Sequence, residues 1–129
     1  MVPSDLRLWI ETARHYLYPD VTVVCGEPAF TDEACDTLLN PRLIVEVLSK
    51  STKDYDRGEK FMLYRTLPSF AEYVLIAQDR HHVEHFARQA DGRWILTDVD
   101  RLAESVSLVS IEAQLALAEI YDKVPVAVR

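Results

Sequence analysis

A carboxylate sits in the middle of an otherwise apolar run, Leu43-Ile-Val-Glu-Val-Leu48, and it sets the terms on which this chain can fold. A run that is apolar on both faces suits a central strand covered from both sides. The two-residue period of a strand then puts Glu46 on the same face as Ile44 and Leu48. An isolated ionised carboxylate in such a place is costly, so Glu46 must find a partner. Two readings follow from Glu46 alone. It is a structural glutamate paired with an arginine or with backbone, or it is one half of a site that does chemistry.

The surrounding pattern places that strand in a mixed α/β domain. Val21-Thr-Val-Val-Cys25 is a β-branched run entered through Pro19-Asp20 and ended by Gly26, and it reads as the first clear strand. Glu27 to Asn40 is polar, with Pro28, Asp32, Glu33 and Asp36, and reads as a loop with room for one helical turn. Ser51 and Asp54 have capping-box spacing and open a helical segment that runs to Leu67, where Pro68 ends it. Strands follow at Glu72–Ala77, His82–Ala87 and Trp94–Thr97, with turns at 78–80 and 90–93, and Ser105–Leu108 adds a short edge strand. Ile111 to Tyr121 is apolar at helical spacing and predicts one or two short terminal helices. The order strand, strand, helix and then several strands predicts a single domain over residues 1–129 built on one mixed sheet.

Composition narrows the function. The chain of 129 residues is 49% hydrophobic and 27% charged, which describes a globular rather than a disordered polypeptide. Three glycines leave no phosphate-cradling glycine-rich loop, so no nucleotide cofactor is expected. No apolar run is long enough to cross a bilayer and no signal peptide opens the chain, so a cytoplasmic protein without a membrane partner is expected. Cys25 and Cys35 are too few for a disulfide framework or a zinc site and read as reduced thiols. Lys and Arg number 14 against 21 Asp and Glu, a net charge of −7 that repels a phosphate backbone unless cations cluster or a metal offsets the field.

Within that frame three residues form a constellation. Asp20 lies at the mouth of the β-branched strand, and if that strand neighbours the one carrying Glu46, the two carboxylates converge. Like charges that close are mutually unfavourable, and a shared hard cation such as Mg²⁺ relieves them. Taken singly, Asp20 is a turn residue after proline. Lys60 falls between Leu63 and Tyr64 on the helical wheel rather than among other charges. It is either a lysine paired with Asp56 one turn earlier or an ammonium that orients an attacking water and offsets charge on phosphorus.

The same residues carry a resemblance. The segments Tyr18-Pro-Asp-Val-Thr-Val-Val-Cys-Gly-Glu-Pro28, Asn40-Pro-Arg-Leu-Ile-Val-Glu-Val-Leu-Ser49, Ser51-Thr52, Tyr55-Asp-Arg-Gly-Glu-Lys-Phe61, Glu72-Tyr73, Gln78-Asp-Arg80 and Leu117-Ala-Glu-Ile-Tyr121 resemble the Uma-two family of the PD-(D/E)xK nuclease superfamily. The resemblance implies a restriction-endonuclease-like mixed sheet with flanking helices, shortened at its N-terminus. It also implies Mg²⁺- or Mn²⁺-assisted hydrolysis of a DNA phosphodiester. Asp20 matches the acid of the PD motif and Glu46 the acid of (D/E)-x-K. Leu48 stands where that motif wants lysine, and Lys60 from the following helix takes its place. The backbone carbonyl of Val47 is the implied further metal ligand. Lys50 departs from the relatives, which often have proline there, and is either a phosphate contact or a solvated loop lysine. Lys50 and Arg57 are the candidate contacts to nucleic acid. Relatives carry a longer N-terminal portion, with a helix whose acid completes the metal site and an early strand or hairpin. Its absence leaves sheet surface through which copies could associate as a homo-oligomer.

Other features have plainer readings. His81, His82 and His85 resemble a ligand cluster, but His82 and His85 face opposite sides of a strand. Trp9 and Trp94 read as packing residues rather than base-stacking platforms. Ser49, Ser51 and Thr52 mark a helix entrance rather than a nucleophile. The competing functional class is a catalytically inactive nuclease-fold module that serves assembly or partner binding, which the acidic balance favours and the intact triplet opposes.

Overall fold

A computed structural model describes residues 7–30, 37–50 and 53–122. Cys35, the acids Asp32, Glu33 and Asp36 of the polar loop, and the helix entrance at Ser51 and Thr52 lie outside those residues. Along the chain run β1 (Arg7–Ile10), β2 (His15–Leu17), β3 (Val21–Val23), β4 (Thr37–Leu38), β5 (Leu43–Leu48), α1 (Lys53–Arg57), α2 (Glu59–Tyr64), β6 (Glu72–Ala77), β7 (Val83–Arg88), β8 (Trp94–Val99), β9 (Ser105–Leu108), β10 (Ala113–Ala116) and α3 (Leu117–Ile120). None of the described helices is long and apolar enough to cross a membrane.

The main sheet has the order β3-β5-β6-β7-β8. Its one parallel pair is β5 with β6, in the register Glu46↔Leu75, and α1 and α2 form the connection between them. The other three pairs are antiparallel. Strand β5 is internal, as its two-sided apolar character requires. One face carries Ile44, Glu46, Leu48, Tyr73 and Leu75, and it packs beneath Phe61, Tyr64, Leu67 and Phe70 together with Leu8, Ile10, Leu17 and Leu38. An aromatic cluster fills this layer. Phe61 stacks on Tyr73 at 4.9 Å between ring centres and meets Trp94 edge-on at 5.1 Å. The opposite face carries Leu43, Val74, Val83 and Val99 under Val106, Leu108, Leu117 and Tyr121.

Four expectations are corrected. The sheet is not the only one: β2-β1-β4 and β10-β9 form separate small sheets among the described residues. Strand β9 is therefore not an edge of the main sheet. Ile111 to Tyr121 is not purely helical either, because 113–116 pairs antiparallel with β9 in the register Ala113↔Leu108. A 3-10 turn at Val109–Ile111 followed by left-handed Glu112 (φ 53°) reverses the chain there. Finally, the segment after Asp54 is two helices. They meet at Gly58, where a Cβ would stand 3.2 Å from the Asp54 carbonyl oxygen.

Candidate active site

Asp20 and Glu46 meet at the end of β3. The Asp20 N–H donates to Glu46 Oε1 (3.0 Å) and the Val47 N–H donates to Asp20 Oδ2 (2.7 Å), so each acid binds the other's strand. Strand β3 stops at Val21, opposite Val45, and the two hydrogen bonds continue the pairing one residue further through side chains. Asp20 is exposed and Glu46 is buried.

The helices bring the third residue. Asp56, Lys60 and Tyr64 are spaced four apart, one stripe of a helix even across the Gly58 break. That stripe lies over Glu46. Tyr64 Oη donates to Glu46 Oε2 at 3.0 Å, and Lys60 Nζ forms an ion pair with the same oxygen. Lys60 also lies 3.5 Å from Asp56 Oδ1. Lys60 thus pairs with Asp56, as the plainer reading has it, and it also reaches Glu46. Asp56 and Tyr64 join the site beyond the expected triplet; the four-residue spacing from Lys60 is a sequence signal for Asp56, whereas a tyrosine on an apolar helix face gives none.

Charge at the site is finely balanced. Burial pushes the Glu46 carboxyl above its ordinary value, and Lys60, the Asp20 N–H and Tyr64 pull back only part of that rise. Burial works against the Lys60 ammonium as well, but Glu46 and Asp56 outweigh it and hold its pKa above the ordinary value. Burial and the Glu46 charge push the Tyr64 phenol upward, so it remains a hydrogen-bond donor. Nothing here lets Glu46 exist without its partners.

The face that carries Glu46 continues as a polar row. By register Glu46 lies beside Leu75, Leu75 beside Glu84, and Glu84 beside Asp98. Arg57, three residues before Lys60, forms an ion pair with Glu84, so one cation from each of α1 and α2 stands over two acids two strands apart. That contact raises the Arg57 pKa further. At the end of the row His82 Nε2 lies 2.8 Å from Asp98 Oδ1, and His82 Nδ1 lies 3.1 Å from Arg80 Nη2. His82, Glu84 and Asp98 form a grouping close enough to hold a metal ion, with Arg57 already on Glu84. His85, on the other face, bonds to Glu72 instead.

Beyond Leu48 and Ala77, at the C-terminal ends of the parallel strands, lies a cavity of about 470 Å³ lined by Ser49, Lys50, Lys53, Arg57, Gln78, Asp79 and Arg80 besides those two residues. Lys50 and Arg57, expected near nucleic acid, both border it. The crevice at this end of parallel strands is where open α/β sheets bind ligands.

The chain is 47% identical over 96 residues to the uncharacterized protein sll1609 of Synechocystis sp., a stretch that covers 74% of this chain and 54% of that protein. It is 34% identical over 118 residues to the uncharacterized protein slr1290 of the same organism, covering 92% and 60%. The chain therefore spans between half and two thirds of the length of these relatives. A crystal structure of "a putative nuclease belonging to DUF820" from Anabaena variabilis shares the fold, with a TM-score of 0.71 at 16% identity over 91% of this chain and 65% of that one. The model of the Uma2 family, described as "Putative restriction endonuclease", matches residues 1–119, and the chain belongs to that family.

Proposed function

We propose that this protein is a metal-dependent endonuclease that hydrolyses DNA phosphodiester bonds at Asp20, Glu46 and Lys60. The observation that carries this reading is the environment of Glu46: a buried carboxylate, 2% exposed, that binds the Asp20 backbone, Lys60 and Tyr64 at one sheet end. A structural glutamate needs hydrogen-bond partners, but it does not need a second carboxylate held beside it at the same sheet end, as the Val47 N–H holds Asp20.

The donor set suits Mg²⁺ or Mn²⁺. Asp20 and Glu46 offer carboxylate oxygens, the ligands that hard divalent ions prefer. The Val47 N–H turns toward Asp20. In a strand the carbonyl of a residue points to the same lateral side as its N–H, so the Val47 oxygen is directed past the end of β3 toward the same place. When bound, a divalent cation supplies Lewis-acid charge at the phosphoryl group. Lys60 orients the attacking water and offsets negative charge that develops on phosphorus. Tyr64 fixes the Glu46 carboxylate and Asp56 fixes the Lys60 ammonium, which removes their freedom to leave the reacting geometry. Lys50 belongs to the nucleic-acid side of the site, which Arg57 borders with its guanidinium held on Glu84.

The test is cleavage of plasmid DNA with Mg²⁺, with Mn²⁺ and with excess chelator, in the wild type and in Glu46→Gln. Cleavage is expected only with a divalent ion, and Glu46→Gln is expected to lose roughly two orders of magnitude or more in rate. Full cleavage in chelator, or an undiminished rate in folded Glu46→Gln, overturns the proposal. Calorimetric titration with either ion separates it from an inactive assembly module, for which no heat and no thermal shift are expected.

A further inference from the structure

We infer that the cavity at the ends of β5 and β6 is a clamp for the DNA backbone, in which Lys50, Lys53 and Arg80 hold a phosphate flanking the one that is cut. The inference rests on the nuclease reading and joins Lys53 and Arg80 to Lys50 around one cavity.

Charge is the first support. On a chain of net charge −7 the lining holds Lys50, Lys53, Arg57 and Arg80 against one carboxylate, Asp79. A local reversal of sign on an acidic molecule is what a polyanion requires and what its overall field otherwise denies. Arg57 is not among the available cations, because its guanidinium donates to Glu84 through both Nε and Nη2. Lys50 and Lys53 are exposed, and neither has an ion pair with an acid among the described residues.

Position is the second support. Leu48, in the cavity wall, follows Glu46 by two residues on one strand, about 7 Å at the usual rise. The cavity is therefore a neighbour of the proposed cleavage site and opens beyond the same sheet end. Aim is the third. The contacts of His82 fit the tautomer whose Nε2–H donates to Asp98 while Nδ1 accepts from Arg80 Nη2, which steadies Arg80 at the cavity rim without neutralising it. Asp98 holds His82, His82 steadies Arg80, and Glu84 holds Arg57 out of the way: the polar row beneath the helices serves the clamp.

The experiment uses the whole chain and a short fluorescein-labelled DNA duplex, read by anisotropy over a series of salt concentrations in chelator. The triple variant Lys50→Ala/Lys53→Ala/Arg80→Ala is expected to bind roughly tenfold or more weakly, and the slope of log K against log salt is expected to fall by about 1 for each cation removed. Its melting temperature should stay that of the wild type, since the three side chains are exposed. An unchanged affinity and slope in the triple variant overturns the clamp, as does a wild type that binds no duplex. If Glu46→Gln cleaves normally while the triple variant loses affinity, the nuclease assignment fails and the clamp stands. If inorganic phosphate alone raises the melting temperature of the wild type but not of the triple variant, and no duplex binds, the cavity is a free-phosphate site and the inference is overturned.

Discussion

Glu46 is the residue on which the rest is arranged. Its oxygens accept from Asp20, Tyr64 and Lys60, and burial still leaves its pKa high. Removing Lys60 leaves that carboxylate without its counter-charge, so Lys60→Met is expected to cost about 3 kcal/mol or more in urea unfolding near neutral pH. The loss should shrink in acid, where Glu46 takes up a proton. The double variant Glu46→Gln/Lys60→Met should recover part of it, and a cycle of the four proteins measures the coupling. Tyr64→Phe strips one donor from a buried acceptor and should cost about 1–3 kcal/mol, with no change in shape. The triplet of Asp20, Glu46 and Lys60 was readable because each member violated its surroundings: an acid in an apolar strand, an acid at a strand mouth, a lysine among apolar neighbours. Tyr64 was not, because a tyrosine on an apolar helix face breaks no rule. Its hydroxyl becomes informative only once Glu46 is seen beneath it.

Among the elements, the long β-branched and apolar strands announced themselves, and the two missed hairpins have a common physical cause. The β1–β2 hairpin turns through Arg14 (φ 52°) and the β9–β10 hairpin through Glu112 (φ 53°), both left-handed without being glycine. A reversal carried by arginine or glutamate leaves none of the Gly, Asn or Pro signals by which turns are recognised. These residues bear a conformational cost of about 1–2 kcal/mol, so Arg14→Gly and Glu112→Gly should each stabilise the protein by up to about 1 kcal/mol after the added freedom of the unfolded chain is counted. Thermal melts of the two variants test this. The 3-10 turn that precedes Glu112 is docked by Glu72, which accepts from the N–H groups of Val109 (3.2 Å) and Ser110 (2.6 Å) and from His85. Burial pushes the Glu72 carboxyl up, and the hydrogen bonds of His85 and Ser110 outweigh it, leaving it below its ordinary 4.5. A depressed carboxyl stabilises the fold above its unfolded-state pKa and loses that contribution as pH falls through the folded value. The melting temperature should therefore drop below pH 4.5, more steeply in the wild type than in Glu72→Gln.

At the scale of the whole molecule, the question is whether three sheets melt as one. Trp9 belongs to the three-stranded sheet, where its ring packs on Tyr16, and Trp94 to the five-stranded one, where it joins the aromatic layer. Trp9→Phe and Trp94→Phe leave one reporter in each sheet. Coincident fluorescence transitions are expected if the chain folds as a single domain, and separated midpoints would divide it. The outer edge of β8, with Ile95 and Leu96 exposed, pairs with no strand among the described residues. The crossed hydrogen bonds of Asp20 and Glu46 carry a consequence for genetics. The acids that would do the chemistry also pin β3 to β5. A mutational scan scored in living cells will thus register alanine at positions 20 and 46 first as low abundance, since chaperones and proteases clear destabilised chains. Only substitutions that keep an acceptor, such as Asp20→Asn, will report on turnover rather than on survival.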